Sequence, residues 1–78
     1  MHHVNEPWTG HVVGRMHTYG IKREELASRC GYTPQYLSML LNGKKEFSCE
    51  EAKLTAKKVI LDNLTEIEKE VYYERLHS

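Results

Sequence analysis

Apolar residues recur along this chain in steps of three and four, and nowhere in the strict alternation of a half-buried strand. Val12, Val13, Met16 and Tyr19 form the first such face. It follows Thr9, which reads as an N-cap with Trp8 packed beside the first turn, and Gly20 is placed to end the helix in the left-handed conformation. Leu26, Ala27 and Cys30 form a second inward face over about 23–30. Glu24 and Glu25 in its first turn and Arg29 near its end complement the helix dipole, and Gly31 stops it. A third helix starts with Thr33 as N-cap and Pro34 at the first helical position, turns Leu37, Leu40 and Leu41 inward with Tyr36 partly covered, and leaves at Asn42-Gly43. Ser48 with Glu51 makes a capping box for a fourth helix over about 49–59, with Ala52, Leu54 or Thr55, Ala56 and Val59 inward. Asp62-Asn63 then marks a break, and Thr65 with Glu68 makes a second capping box that opens a last helix to about Leu76. Ile60, Leu64, Ile67 and Val71 form an apolar stripe that needs burial. The expectation is an all-α fold, a compact bundle of about five short helices.

The chain is 78 residues long, 40% hydrophobic and 28% charged, which suits one globular domain over 1–78 with a small core. Residues 1–7 read as a polar, flexible arm. No apolar run approaches the ~18 residues of a membrane span and no signal-peptide layout opens the chain, so a cytoplasmic location and no membrane partner are expected. Cys30 and Cys49 make no disulfide framework and read as a buried small hydrophobe and a cap-region residue.

Enzyme chemistry finds no support. There is no glycine-rich phosphate loop, no Cys-x-x-Cys and no His-Glu-x-x-His. His2 and His3 form no ligand set, and His11 and His17 are six apart, a spacing that does not align them on one helix face. No catalytic residue, metal, cofactor or small-molecule ligand is expected.

Charge changes the picture more. The totals balance at 11 basic and 11 acidic residues, but residues 1–45 hold six Lys and Arg against three Glu, whereas residues 46–78 hold five against eight acidic ones. The positive half is the one suited to meet an anion. Overall neutrality argues against indiscriminate coating of nucleic acid.

Within that half, Ile21-Lys22-Arg23-Glu24-Glu25-Leu26-Ala27, then Cys30-Gly31-Tyr32-Thr33, Tyr36-Leu37-Ser38 and Leu41-Asn42-Gly43-Lys44 resemble the helix-turn-helix of the phage repressor and Cro-type family, also called Xre-like. The motif, over 22–42, covers roughly a third of the chain. The spacing has its own physical reason: Ala27 lies where two helices cross closely, Gly31 takes a positive φ cheaply, and Leu37 anchors the second helix to the core. The resemblance implies a lambda-repressor-like DNA-binding domain whose recognition helix, 34–41, enters the major groove. Its outer face is Pro34, Gln35, Ser38 and Met39, the expected base contacts. Gln35 can pair bidentately with adenine and Met39 can touch a thymine methyl. Pro34 departs from the polar residue usual there and offers only apolar contact. Backbone contacts are expected from Lys22, Arg23, Thr33, Tyr36, Asn42, Lys44 and Lys45, with Lys22 replacing the usual small polar cap.

The function expected is sequence-specific binding of double-stranded DNA by a small transcriptional regulator of the phage repressor or Cro type. One module makes few phosphate contacts, so a homodimer reading two half-sites is expected, with Val71, Tyr72, Tyr73 and Leu76 as its interface. The alternative is a protein-interaction module on the same scaffold, an antirepressor or partner-binding domain, which the acidic second half and the tyrosine pair would also suit.

Overall fold

The computed structural model describes residues 7–43 and 47–77. Among them are four helices and no strand: α1 (Pro7–Tyr19), α2 (Arg23–Cys30), α3 (Pro34–Leu41) and α4 (Glu50–His77). α3 packs on α1 and α2, and α4 packs on the same two helices. The core cluster joins Trp8, Val12 and Met16 of α1 to Leu26 and Ala27 of α2, Leu37, Leu40 and Leu41 of α3, and Ile60, Leu64 and Ile67 of α4.

The five-helix expectation is corrected to four, because no break occurs at Asp62-Asn63 and α4 runs unbroken for 28 residues. The side chains read as breakers bond back into the helix instead. Asn63 Nδ2 donates to the Val59 carbonyl at 2.8 Å, and Thr65 Oγ1 donates to the Leu61 carbonyl at 2.9 Å. Neither Asp nor Asn carries the steric penalty of proline in a helix interior, and continuous burial of one stripe outweighs their weak propensity. That stripe is Lys53, Ala56, Ile60, Leu64 and Ile67, with Val71 partly buried at its end. Its register also corrects the inward set of the first half. Leu54 is exposed, and Lys53 lies inward instead, its aliphatic stem covered while its ammonium is 3.9 Å from Glu50.

Two helix starts shift as well. α1 begins at Pro7, so Pro7 belongs to the helix rather than to an arm. Proline suits a first turn, where its missing N–H has no partner to lose. Thr9 is therefore a buried residue of the first turn, not the N-cap. At α4 the cap is Cys49: its Sγ accepts from Ala52 N–H at 3.4 Å and its carbonyl accepts from Lys53 N–H, in place of the Ser48–Glu51 box. The remainder of the proposed arm lies outside the described residues, as do Lys44 and Lys45.

The ends of α1 and α2 close as expected. Gly20 (φ 66°) and Gly31 (φ 78°) are left-handed, and in each case the following amide reaches back five residues: Ile21 N–H to Met16 O and Tyr32 N–H to Ala27 O, both at 2.8 Å.

Candidate nucleic-acid interface

α2, the turn and α3 form a rigid unit because each joint is fixed locally. Ala27 is wholly buried, leaving no room for a larger side chain. At the turn, Gly31 N–H donates to Ser28 O at 3.2 Å. Thr33 caps α3, its Oγ1 accepting from Tyr36 N–H at 3.1 Å, and Pro34 occupies the first turn. Leu37, Leu40 and Leu41 pin α3 to the core. Tyr32 and Tyr36 meet edge to face, centroids 5.0 Å apart, and brace the turn against the first residues of α3.

The opposite side of α3 is open. Pro34 and Gln35 are exposed, Met39 keeps 44% of its surface in solvent, and Ser38 is half-buried at the edge toward α2. Of the residues expected to flank this side, Lys22, Thr33 and Asn42 are exposed, while Arg23 and Tyr36 are half-buried. Lys22 has extended backbone and makes no side-chain cap to the first amides of α2. Asn42 closes α3 through its own amide, which donates to Ser38 O at 2.9 Å, and Gly43 (φ 71°) turns the chain away.

The structure also shows a contact that sequence spacing did not reveal. Arg23 Nη1 donates to Ser38 Oγ at 3.0 Å, joining a residue expected on the backbone to one expected on bases. The other arginines of the first half are engaged elsewhere. Arg15 forks onto Glu68 through Nε and Nη2, Arg29 meets Glu70 through Nη2 alone, and the hydrogen bond to the carboxylate raises each guanidinium pKa above its ordinary value. Among the described residues no group of three or more His, Cys, Asp and Glu is placed to hold a metal ion, and no helix is long and apolar enough to cross a membrane.

A family model described as helix-turn-helix matches residues 15–58, more than half of the chain, and runs from the last turn of α1 through the first third of α4. The chain belongs to that Xre/lambda-repressor-type helix-turn-helix family. No curated protein and no solved structure matches it. Helix-turn-helix domains of this kind are DNA-binding domains of regulators, and the match holds the whole α2–turn–α3 unit with the end of α1 and the start of α4 that flank it. The short buried residue at 27, the left-handed glycine at 31 and the capped start of α3 are thus the joints of a helix-turn-helix.

Proposed function

We propose that this protein is a sequence-specific regulator of the repressor or Cro type that places α3 in the major groove of double-stranded DNA. The observation that carries the proposal is the exposed face of α3, with Gln35 and Met39 in solvent on a helix whose other side is locked into the core. Gln35 pairs with an adenine edge, Met39 packs on a thymine methyl, and Pro34 contributes apolar surface. The uncapped amides of α2 and the Lys22 ammonium meet one phosphate. Thr33 Oγ1 accepts from Tyr36 N–H and keeps its own proton to donate to another phosphate, beside Tyr36 and Asn42. Lys44 and Lys45 extend the same strand contact in this proposal.

A single copy makes a weak reader. Glu24 and Glu25 lie in the first turn of α2, where they repel the phosphates that its amides attract. We therefore place two copies on one operator, with half-sites about 34 Å apart. α4 supplies the contact: it is about 42 Å long at 1.5 Å per residue, and its last turns expose Tyr72, Tyr73 and Leu76 at 57%, 63% and 60%. Val71 packs on the monomer's own core, and so contributes little to that contact. The competing role, a partner-binding module, draws on the same exposed tyrosines.

Titration of mixed genomic DNA fragments at about 50 and 200 mM salt separates the two roles. A DNA reader retains a subset of fragments and weakens steeply as salt rises. Failure to retain any fragment at the lower salt rejects the DNA role and leaves the partner-binding one.

A further inference from the structure

Arg23 and Ser38 lie 15 residues apart, on two helices, and meet at 3.0 Å with both side chains half-buried. We propose that Ser38 is a positioning residue for Arg23, and that the pair forms a clamp across α2 and α3 which presents the guanidinium to one backbone phosphate. The inference rests on the DNA-binding reading and changes the role of Ser38 within it from base reader to support.

Three observations carry it. Ser38 is the edge residue of the open face, whereas Gln35 and Met39 point outward, so its hydroxyl sits nearest α2. Pro34, one turn earlier on the same side, has no side-chain acceptor to offer an arginine. Arg23 is also the one arginine of the first half that is not paired with a carboxylate among the described residues, since Arg15 and Arg29 are taken by Glu68 and Glu70. Its charge is therefore available to an anion.

The chemistry follows from the inventory of donors. A guanidinium has five N–H donors in a fixed fork. The bond to Ser38 uses one on Nη1 and leaves the edge formed by Nη2 and Nε for a bidentate contact with phosphate oxygens. A long side chain already held in one orientation loses less freedom when the anion arrives, so the clamp raises affinity without reading sequence. Direct readout on α3 then narrows to Gln35 and Met39.

The test measures binding of the full chain to a duplex selected from a random pool, and to its single-base variants, for wild type, Ser38→Ala, Ser38→Thr, Arg23→Ala and the Arg23→Ala/Ser38→Ala pair, with thermal melts to confirm folding. Loss of one supporting hydrogen bond weakens binding by about 3- to 10-fold. Ser38→Ala should do so equally on every duplex, leaving the ranking of bases unchanged, and Ser38→Thr should restore wild-type affinity. Arg23→Ala should weaken binding further and lower the salt slope by about 1. The double variant should bind no more weakly than Arg23→Ala alone, because Ser38 acts only through Arg23. The clamp is overturned if Ser38→Ala alters which bases are preferred, binds as wild type does, or multiplies the Arg23→Ala effect. Those results leave the DNA reading standing, whereas a wild-type chain that binds no duplex at low salt overturns both.

Discussion

Arg15 donates its Nε–H to Glu68 Oε2 at 2.8 Å across 53 residues of sequence, tying the middle of α1 to the second half of α4. Arg15 Nη2 adds a bond to Thr65 Oγ1 at 3.3 Å, and Arg29 repeats the pattern with Glu70 at 2.9 Å. Both pairs set a basic residue of the positive half against an acidic residue of the negative half. Part of the charge asymmetry along the chain is thus consumed in joining the helices, and Lys22 and Arg23, at the start of α2, are the cations of the described first half that neither pair takes up.

Glu68 is well covered and Arg15 about one-third exposed, so this fork is better screened from water than the Arg29–Glu70 pair. Glu68→Gln should destabilise the fold by about 1 kcal/mol, a fall in Tm of roughly 4–8 °C. Glu70→Gln should change Tm by much less. A double-mutant cycle with Arg15→Met measures the coupling directly. Equal Tm shifts for the two glutamates would contradict the assigned difference in burial.

Gly31 holds φ at 78°, and a methyl group built on it meets no atom within 4 Å. Gly31→Ala therefore carries a backbone penalty alone, about 1–2 kcal/mol. Gly31→Asn should lose less, since asparagine tolerates the left-handed region. Denaturant melts check both. An alanine variant as stable as wild type would mean that the turn does not need this conformation.

Burial raises the Cys30 thiol above its ordinary 9.0 and the Tyr32 phenol above its ordinary 10.0, with Tyr36 and Cys30 adding to the shift at Tyr32. A pKa raised on folding contributes stability that is fully present below the unfolded value and is lost as pH rises through the folded one. These two groups should leave Tm unaffected below about pH 8.5 and lower it above about pH 9. Tyr32→Phe should reduce the alkaline fall. A wild-type Tm that holds constant to about pH 11 would refute the shifts.

Tyr72, Tyr73 and Leu76 contribute little to the folded monomer, since all three are exposed. Replacing all three by serine should lower stability by less than about 1.5 kcal/mol, each surface change falling within about 0.5 kcal/mol. The same change should convert two copies per operator into one in sedimentation with duplex DNA. Two copies bound with unchanged cooperativity would place the dimer contact elsewhere.

Much of this molecule was legible in its sequence because local rules dominate there. Gly20, Gly31, Thr33 and Pro34 mark helix ends whose chemistry is complete within a few residues, and Leu37, Leu40 and Leu41 follow the helical period as buried positions. α4 is less legible for the opposite reason. Asp62-Asn63 and Thr65 look like breakers locally, but the stripe from Lys53 to Ile67 is buried as one piece and overrides them. The Lys53-for-Leu54 register shows the same priority of tertiary packing, as a lysine stem fits where the better hydrophobe would point away. The Cys49 cap is hidden in the sequence because a thiol is a weak acceptor, and Ser48 one residue earlier is the better one by composition. The pairs Arg15–Glu68 and Arg23–Ser38 leave no trace in spacing, because they depend on how helices cross.

The most direct test is selection of bound sites from a random duplex pool, carried out in parallel with wild type and Gln35→Ala. If α3 reads the major groove, wild type enriches a defined site of two half-sites about 34 Å apart. Gln35→Ala should then lose the preference for adenine at one position of each half-site, a discrimination of about 1–3 kcal/mol. Enrichment of no site by wild type, or the same site with the same adenine preference from Gln35→Ala, would contradict the placement of this helix on DNA.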